Sequence, residues 1–501
     1  MFNNYKGFHL VDTYHAMRHQ RKYHPTDGTK RVIKIALVAL VTLFLWNMPT
    51  EWFGIQNLTI VQQRVIAIFA FATLMWILEI VSSWATSIAI IVIMLLFYTE
   101  RGISPMVNEE EVGKLLSYKG VMACFADPVI MLFIGGFVLA IAATKTGLDA
   151  QLARILLRPF GTRSEMVLLG FLLVTGLFSM FVSNTATAAM MLTFLTPVFR
   201  QLPPEGKGRV ALALSIPIAA NLGGMGTPIG TPPNNIALKY LNDPEGLNMN
   251  LGFGQWMMFM FPLVIILLFI SWMILKKMFP FTQKTIELNI DGEMKKGFHA
   301  NVVIVTFFVT IALWLTDRFT GINANTVAMI PFCIFALTGV ITKRDLEQIN
   351  WSVIWMVAGG FALGYGLNKS GLAENAIESI PFDTFSPLLI LILGGAICYL
   401  LSNFISNSAT AALLMPILAI VCGAMGDKLD PIGGTATVLI GVAIAASSAM
   451  ILPISTPPNA LAFSTNLVQQ KDMSKIGFIM GMISMVLGFG LVYLMGIMKV
   501  L

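Results

Sequence analysis

The sequence predicts an all-α polytopic membrane protein built from two inverted repeats, each carrying a re-entrant hairpin and a broken helix. Three observations lead to this fold class. Of the 501 residues, 56% are hydrophobic and only 12% are charged, whereas soluble proteins carry roughly 25% charged residues. The apolar residues form runs of the length that a membrane span requires, about 20 residues. Polar and proline-rich motifs also recur at matching positions in the two halves of the chain.

The apolar runs define the predicted spans, and some runs are long enough for two helices. They cover residues 35–48, 64–98, 121–143, 166–199, 255–275, 299–316, 325–341, 386–401 and 476–499. The four cysteines are Cys124, Cys333, Cys398 and Cys422. They show no CxxC spacing and have apolar surroundings, so we expect packing residues and neither a disulfide framework nor a metal site.

Loop charges predict the orientation, because cytoplasmic loops carry an excess of Lys and Arg. The segments predicted to be cytoplasmic are 1–34, 154–163, 200–209, 276–296, 343–344 and 471–475. The segments predicted to be outside are acidic or poor in Lys and Arg, at 109–111, 243–245, 374–383 and 427–430. Alternating these sides gives about eleven spans and two stretches that return to their own side. We expect a multi-pass protein of the inner (plasma) membrane, with the N-terminus cytoplasmic and the C-terminus outside.

The two halves share four landmarks that stay in register. Gly-Gly-Phe at 135–137 recurs at 359–361, and Thr-Gly-Leu at 146–148 recurs as Ser-Gly-Leu at 370–372. Ser-Asn-Thr-Ala-Thr-Ala-Ala at 183–189 recurs as Ser-Asn-Ser-Ala-Thr-Ala-Ala at 406–412, and Thr-Pro-Pro-Asn at 231–234 recurs at 456–459. The separations are 223 to 225 residues. By the loop charges, one copy starts outside and the other inside, which predicts inverted repeats.

These observations predict a division of the chain into five parts. They are a cytoplasmic tail (1–34); first scaffold spans (35–120); repeat one (121–277), with a scaffold span, a re-entrant hairpin at 166–199 and a broken helix at 209–238; a cytoplasmic loop with scaffold spans (278–348); and repeat two (349–501), with a scaffold span, a hairpin at 386–420, a broken helix at 436–464 and a last span.

The Ser-Asn-Thr and Ser-Asn-Ser turns interrupt the two predicted hairpins at their middles. Irregular backbone at membrane depth survives only where it is buried in protein or lines a wet cavity. The helix N-terminus that follows each turn offers N–H groups to an anion, and the hydroxyls and amides add donors for a carboxylate and acceptors for a cation. The alternative is that Ser and Asn only cap the hairpin arms, which two matched copies make the poorer interpretation.

The Pro-Pro-Asn motifs predict broken helices, since proline removes a backbone donor and clashes with the preceding turn. The segments 223–234 and 449–459 share this proline pattern, with fewer glycines in the second. A break frees carbonyl oxygens, which serve as Na⁺ ligands in transporters with discontinuous helices. A plain proline kink is the alternative.

Neither hairpin interior nor either break contains Asp, Glu, His, Lys or Arg. A proton-coupled carrier needs a titratable group in its pathway, so Na⁺ is favoured over H⁺ as the coupling ion. Four charged residues do lie in or near spans, namely Glu79, Asp127, Lys145 and Lys369. Two interpretations stay open for them: helix ends or structural ion pairs, or functional groups, the latter kept by the Lys145/Lys369 match across the repeats.

At the paired Ser-Asn and Thr-Pro-Pro-Asn motifs, the sequence resembles the divalent anion:sodium symporter family of Na⁺-coupled di- and tricarboxylate transporters. The resemblance covers roughly 121–475. It implies a homodimer in the lipid bilayer, with a scaffold and a moving transport domain that work by an elevator motion. It also implies a small dicarboxylate as substrate and Na⁺, at two or more sites, as the coupling ion.

The resemblance implies roles for individual residues. The substrate-binding set is Ser183, Asn184, Thr185, Thr231, Ser406, Asn407, Ser408, Thr456 and Pro457. The first Na⁺ site is Ser179, Ser183, Asn184 and Gly230, and the second is Ser402, Ser406, Asn407 and Ser455. One departure is Ser408, which stands where the family usually has Thr.

The leading prediction is therefore import of a C4-type dicarboxylate (succinate, malate or fumarate) with Na⁺. The alternatives are a Na⁺-independent dicarboxylate exchanger and a carrier of citrate or sulfate. An enzyme is disfavoured because no carboxylate pair, metal cluster or nucleophile–base set lies at the polar centres. A channel is disfavoured because inverted repeats with broken helices suit alternating access. Nucleic-acid binding would fit the pI of 9.0, but no aromatic-basic interleaving accompanies the charge.

Overall fold

We describe the protein from a computed structural model. It describes residues 27–78, 80–103, 113–203, 206–243, 246–288, 295–372, 375 and 386–498. Several residues singled out above lie outside these ranges: most of the tail, residues 109–111, Glu79, Glu245, Glu374, Glu378 and Asp383.

The described chain is almost entirely α-helical, and its β-structure is confined to two isolated bridges. In chain order the longer helices are Asp27–Asn47, Ile60–Ile77, Ser83–Phe97, Pro128–Thr146, Leu148–Leu157, Ser164–Ser179, Asn184–Gln201, Lys207–Gly224, Pro232–Leu241, Phe253–Met278, Phe298–Leu315, Ala324–Leu337, Trp351–Lys369, Pro387–Phe404, Asn407–Met425, Gly434–Ser448, Pro457–Ser464 and Gln470–Ile497. Short helices at Tyr118–Ala123, Asp317–Thr320 and Lys343–Leu346 join some of them.

Seven helical stretches are long and apolar enough to cross a membrane. They are Ile60–Ile77, Tyr118–Thr146, Phe253–Met278, Phe298–Leu315, Pro387–Phe404, Asn407–Ile432 and Gln470–Ile497. Four shorter apolar helices accompany them: Ser83–Phe97, Ser164–Ser179, Ala324–Leu337 and Gly434–Ser448. The all-helical membrane class is thus confirmed, whereas the number of eleven spans stays a prediction.

Large apolar side chains cover much of the outer surface. Leu40 on the first helix is 68% exposed, and Leu337 at the end of Ala324–Leu337 is 83% exposed. Such surface is expected where lipid replaces water as the surrounding medium. Cys333 is also exposed, so the expectation of a packing role holds for the buried Cys124, Cys398 and Cys422 and is wrong for Cys333.

Two hairpins and two broken helices form the part of the fold that matters for the site. The first hairpin is Ser164–Ser179 with Asn184–Gln201, and the first broken helix is Lys207–Gly224 with Pro232–Leu241. The second hairpin is Pro387–Phe404 with Asn407–Met425, and the second broken helix is Gly434–Ser448 with Pro457–Ser464. The opening arm of each hairpin packs along the opening half of the broken helix that follows it.

The Gly-Gly-Phe landmark of each half allows close helix packing. A Cβ on Gly135 would lie 2.2 Å from the carbonyl oxygen of Ala328, and one on Gly359 would lie 2.4 Å from Cβ of Ser87. Both glycines therefore let a long helix touch a neighbouring span, Ala324–Leu337 in one case and Ser83–Phe97 in the other. The matched motif has the same physical function in both halves.

Candidate binding site at the two helix breaks

The tip of the first hairpin is built by Ser183 and Asn184. Ser183 is the N-cap of the second arm, and its Oγ accepts a hydrogen bond from the Ala186 amide at 3.2 Å. The fully buried Ser179 Oγ lies 2.6 Å from Asn184 Oδ1 and 2.7 Å from the Ala220 carbonyl oxygen. One hydroxyl proton cannot serve both acceptors, so one of these two oxygens has a lone pair that Ser179 leaves unused.

The tip of the second hairpin repeats this arrangement. Ser406 caps the second arm and accepts from the Ala409 amide at 3.2 Å. Ser402 Oγ lies 2.8 Å from Asn407 Oδ1 and 3.0 Å from the Ala446 carbonyl oxygen. A Ser–Asn–carbonyl oxygen cluster of this kind suits a small hard cation, which prefers oxygen ligands.

The first helix break closes through backbone contact. A Cβ on Gly224 would lie 2.8 Å from Asn184 Oδ1 and 3.2 Å from the Gly230 carbonyl oxygen, and one on Gly230 would lie 2.4 Å from the Gly224 carbonyl oxygen. The two glycines and the Asn184 amide therefore touch, which only residues without a Cβ allow. This contact brings Ser179, Asn184 and Gly230, three of the four predicted ligands of the first cation site, into one place.

Asn234 holds the loop of the first break in shape. Its Nδ2 donates towards the carbonyls of Gly224, Met225 and Thr227, at 3.0, 3.2 and 2.8 Å. Thr227 accepts from the Gly230 amide at 3.0 Å, and its hydroxyl donates to the Met180 carbonyl in the hairpin. Carbonyls freed by the break are thus satisfied locally, as buried backbone groups must be.

The second break closes through side chains. Ser455 occupies the place of Gly230, and its Oγ donates to the Asn403 carbonyl at 2.9 Å while it accepts from the Leu452 amide at 3.0 Å. Asn403 Oδ1 accepts from the Ile451 amide at 2.9 Å. Ser455 therefore contacts Asn403 in the hairpin, next to the predicted ligand Ser402.

Asn221 joins the two breaks to each other. Its Nδ2 donates to Thr456 Oγ1 and to Asn459 Oδ1, both at 3.1 Å. Thr456 also caps its own helix by accepting from the Asn459 amide at 3.3 Å. The first broken helix is thus bonded directly to the second.

The remaining predicted residues differ in exposure. Thr231 and Ser408 are buried, Thr185 is half-buried and Pro457 is exposed at the start of its helix. In the part of the chain that the structure describes, no hydrogen bond links Thr185 or Ser408 to another residue of the site.

Comparison with known proteins decides the family. A family model described as citrate transporter matches residues 73–433. The sodium-dependent dicarboxylate transporter SdcS of Staphylococcus saprophyticus is 30% identical over 465 residues, which cover 86% of this chain and 85% of that protein. The chain belongs to the divalent anion:sodium symporter family. The resemblance that the motifs predicted is confirmed.

Other relatives agree with this assignment. The SdcS transporter of Staphylococcus aureus (strain USA300) is 29% identical to this symporter-family chain, covering 91% of it and 89% of the relative. Among solved structures, the Alcanivorax borkumensis YdaH transporter matches with a TM-score of 0.54 at 14% identity, covering 83% of this chain and 98% of that one. Neisseria gonorrhoeae MtrF matches with a TM-score of 0.50 at 12% identity, over 82% and 94%. At these identities the two structures show a shared fold alone.

Lys145, one of the charged residues in or near the spans, forms an ion pair. Lys145 pairs with Asp345 at 2.5 Å and donates to the Val340 carbonyl at 2.8 Å. Burial by itself would raise the pKa of the Asp345 carboxyl, but hydrogen bonds from Lys145 and Thr342 bring that pKa below its usual value. These contacts favour the structural interpretation of Lys145.

Asp127 also forms an ion pair. Its Oδ2 lies 2.6 Å from Nζ of Lys239, which stands 3.6 Å from the centre of the Phe361 ring. Within the described ranges, no three His, Cys, Asp or Glu residues cluster as a metal site. The segments 223–234 and 449–459 contain no Asp, Glu or His, so their oxygen atoms belong to hydroxyls, amides and backbone carbonyls.

Sequence reasoning missed Thr227, Asn221 and Asn403. The signal for Thr227 was its place inside the first break, directly between Gly226 and Pro228. Asn221 and Asn403 are amides buried in otherwise apolar helices, with 2% exposure each. A buried amide needs partners, which is the signal that could have marked both as part of the site.

Proposed function

We propose that this transporter imports C4-type dicarboxylates (succinate, malate, fumarate) together with Na⁺. The observation that carries the proposal is the duplicated hairpin tip, in which a buried serine hydroxyl lies between an asparagine Oδ1 and a carbonyl oxygen. No group at these tips titrates near neutral pH, so a cation other than H⁺ balances the anion. The relatives named above as sodium-dependent dicarboxylate transporters support the same pairing of substrates.

The two Na⁺ ions occupy the oxygen clusters. The first is held by Ser179, Ser183, Asn184 and Gly230, and the second by Ser402, Ser406, Asn407 and Ser455. The short contacts among Ser179, Asn184 and the Ala220 carbonyl leave spare lone pairs for the first ion. The matching contacts of Ser402 do the same for the second.

The dicarboxylate binds between the two tips. Asn184 and Asn407 contribute amide donors, and Ser183, Thr185, Ser406 and Ser408 contribute hydroxyls. Thr231, Thr456 and Pro457 lie beside them at the breaks. The helix N-termini that start at Asn184 and Asn407 add favourable dipoles for an anion. Bound Na⁺ then supplies the positive charge that no Arg or Lys provides, so ion and substrate binding are coupled.

Transport follows from the two-fold organisation. We propose that the repeats are inverted, that the hairpins and broken helices move as one body against the remaining spans in an elevator motion, and that the protein is a homodimer. The close packing of each hairpin arm along its broken helix supports a single moving body. The N-terminus is cytoplasmic and the C-terminus outside.

Citrate transport is the second candidate, because the matching family model is described as citrate transporter. Citrate carries a third carboxylate, so it needs more room or another donor than succinate does. Ser408 favours this candidate in one respect, since serine is one methyl smaller than the threonine usual in the family.

Uptake by purified protein in proteoliposomes tests both candidates. Labelled succinate should accumulate with an inward Na⁺ gradient and fail to accumulate with choline. Equal uptake in Na⁺ and choline would overturn the coupling, and uptake only into succinate-loaded vesicles would identify an exchanger. Competition by unlabelled malate, citrate and sulfate then ranks the substrates, and stronger inhibition by citrate than by malate would favour the second candidate.

A further inference from the structure

Three buried side-chain oxygens on the two broken helices have no hydrogen-bond partner in the described structure: Oδ1 of Asn234, Oδ1 of Asn235 and Oγ of Ser447. Asn234 and Ser447 lie on halves that pack against each other, Pro232–Leu241 and Gly434–Ser448. Both residues are almost completely buried, with exposures of 0% and 1%. A buried acceptor without a partner is costly, so an unpaired oxygen of this kind points to an occupant.

The second break shows what normally satisfies such an oxygen. Asn459 has the place of Asn234, and its Nδ2 donates to the Met450 and Leu452 carbonyls as Asn234 does to the carbonyls of its own break. Asn459 Oδ1, however, accepts from Asn221 Nδ2 at 3.1 Å. The second break is therefore closed by a direct hydrogen bond from the other broken helix.

The counterpart of Asn221 is Ser447. Ser179 contacts the carbonyl of Ala220 and Ser402 contacts the carbonyl of Ala446, and the residues that follow these carbonyls are Asn221 and Ser447. The spacing of the Thr-Pro-Pro-Asn motifs would pair Asn221 with Ala446, one residue earlier, but the hydrogen bonds fix the register of the helices in space. The half Pro232–Leu241 packs against Gly434–Ser448, just as Lys207–Gly224 packs against Pro457–Ser464.

Serine is too short to repeat the bond that asparagine makes. A serine hydroxyl ends one bond beyond Cβ, whereas the donating nitrogen of asparagine lies two bonds beyond it. Ser447 therefore does not repeat the hydrogen bond that Asn221 makes to Asn459, and the oxygens of Asn234 and Ser447 are left without a partner. Asn234 cannot turn its amide to compensate, because its Nδ2 is held by three carbonyls that an oxygen would repel.

We infer that Asn234 Oδ1 and Ser447 Oγ bind a cation, Na⁺ under the proposed function, at a site separate from the two hairpin tips. Asn234 Oδ1 can only accept a hydrogen bond or bind a cation. Thr231, whose side chain forms no capping hydrogen bond, supplies a further hydroxyl from the same break. The inference rests on the proposed Na⁺ coupling, and it gives the first broken helix a cation where the second has the Asn221 amide.

The test measures thermal stability of purified protein in Na⁺/choline mixtures at constant ionic strength. Ser447→Asn copies the bond of Asn221, and Ser447→Ala removes the ligand without replacing it. We expect both variants to raise the Na⁺ concentration for half-maximal stabilisation by about tenfold, the equivalent of about 1.4 kcal/mol. Ser447→Asn should also be more stable than the parent protein in choline, and Ser447→Ala should not. The cooperativity of Na⁺ in uptake should fall with both.

Ser448→Ala is the matched control, because the hydroxyl of Ser448 is bonded to the Ile444 carbonyl and to Ser484. Its Na⁺ midpoint should equal that of the parent. An unchanged midpoint in both Ser447 variants, with Ser447→Asn more stable in Na⁺ and choline alike, would identify a water and overturn the cation. If Ser447→Asn fails to fold, Ser447→Ala decides alone. A parent protein whose stability and uptake both ignore Na⁺ would instead overturn the proposed function.

Discussion

The two broken helices share one hydrogen-bonding plan and differ in how they complete it. In both, an asparagine of the Thr-Pro-Pro-Asn motif donates to the freed carbonyls. The first break then closes by contact between Gly224 and Gly230. The second closes through the side chains of Asn403 and Ser455.

The matched residues therefore give both breaks the same hydrogen-bonding pattern, and the unmatched residues determine how each break is closed. Backbone contact between the glycines brings the Gly230 carbonyl oxygen and Asn184 Oδ1 to the same side of Gly224, where a cation can use both. Side-chain closure in the second break satisfies the backbone amides of Ile451 and Leu452. We therefore expect the first break to be more sensitive to added volume and the second to lost hydrogen bonds.

The largest expected effect tests what the two halves share. Asn184→Ala and Asn407→Ala each remove the amide that faces a buried serine hydroxyl. Each should lower succinate uptake in proteoliposomes by at least about 100-fold, the equivalent of about 2.8 kcal/mol. The control is Asn47→Ala, since Asn47 only bonds the Leu43 carbonyl of its own helix. Near-normal uptake by both variants would mean that the tips are not the binding site.

The second prediction tests the glycine closure. In Gly224→Ala the new methyl group would lie 2.8 Å from Asn184 Oδ1, so the Asn184 amide must move. We expect the Na⁺ requirement of uptake to rise about tenfold, the effect of about 1.4 kcal/mol. Asn234 bonds the Met225 carbonyl and Asn459 bonds the Met450 carbonyl, so Ala449, the residue before Met450, has the place of Gly224. Ala449→Gly should therefore change Na⁺ affinity little.

The control for the glycine closure is Gly490→Ala, because a Cβ there meets nothing within 4 Å. Equal Na⁺ affinities of Gly224→Ala and Gly490→Ala would contradict the idea that the first break depends on backbone contact.

The sequence alone pointed to the duplicated Ser-Asn turns and Thr-Pro-Pro-Asn motifs, but not to the contacts that join them. The membrane class followed from composition, and the family followed from the duplicated Ser-Asn and Thr-Pro-Pro-Asn motifs. Duplication marks residues that make the same contact twice, such as Ser183 and Ser406, which cap the second arm of each hairpin. Asn221 and Asn403 were missed because their counterparts, Ser447 and Met180, are different residues. A search for residues that recur in both halves does not identify positions where the halves differ.

The contacts between the halves were also beyond the sequence. The hydrogen bond from Asn221 to Asn459 joins residues far apart in the chain, and its existence depends on how two broken helices cross. Local propensity and hydrophobic pattern carry no information on that crossing. The ion pair of Asp127 with Lys239 is of the same kind, since each charge was visible but the pairing was not.

The third prediction tests the side-chain closure of the second break. Asn403→Ala leaves the Ile451 amide without its acceptor and removes a contact of Ser455. The loss of a buried partner costs about 1–3 kcal/mol, so the melting temperature should fall. Cys398→Ala, at a fully buried position on the same arm, is the control for lost volume. If both variants melt alike, the Asn403 hydrogen bonds contribute nothing beyond packing.

The smallest expected effect concerns a contact that only one half makes. Lys239, at the end of the first broken helix, pairs with Asp127 at the start of Pro128–Thr146, whereas the corresponding residues of the second half are Ser464 and Trp351. The two side chains are 23% and 16% exposed, so solvent screens the pair in part, and we expect a coupling energy of about 1 kcal/mol. A double-mutant cycle with Asp127→Asn and Lys239→Met, read as thermal stability, measures it.

If the broken helices move against Pro128–Thr146, as the proposed elevator requires, this ion pair exists in only one end state. Its loss should then change the ratio of the initial rates of uptake and efflux as well as stability. A contact present in one end state biases the equilibrium between the two end states by its own free energy. The second half, with Ser464, offers no balancing pair. A cycle with measurable coupling in stability and an unchanged direction ratio would show that the first broken helix and Pro128–Thr146 stay together during transport.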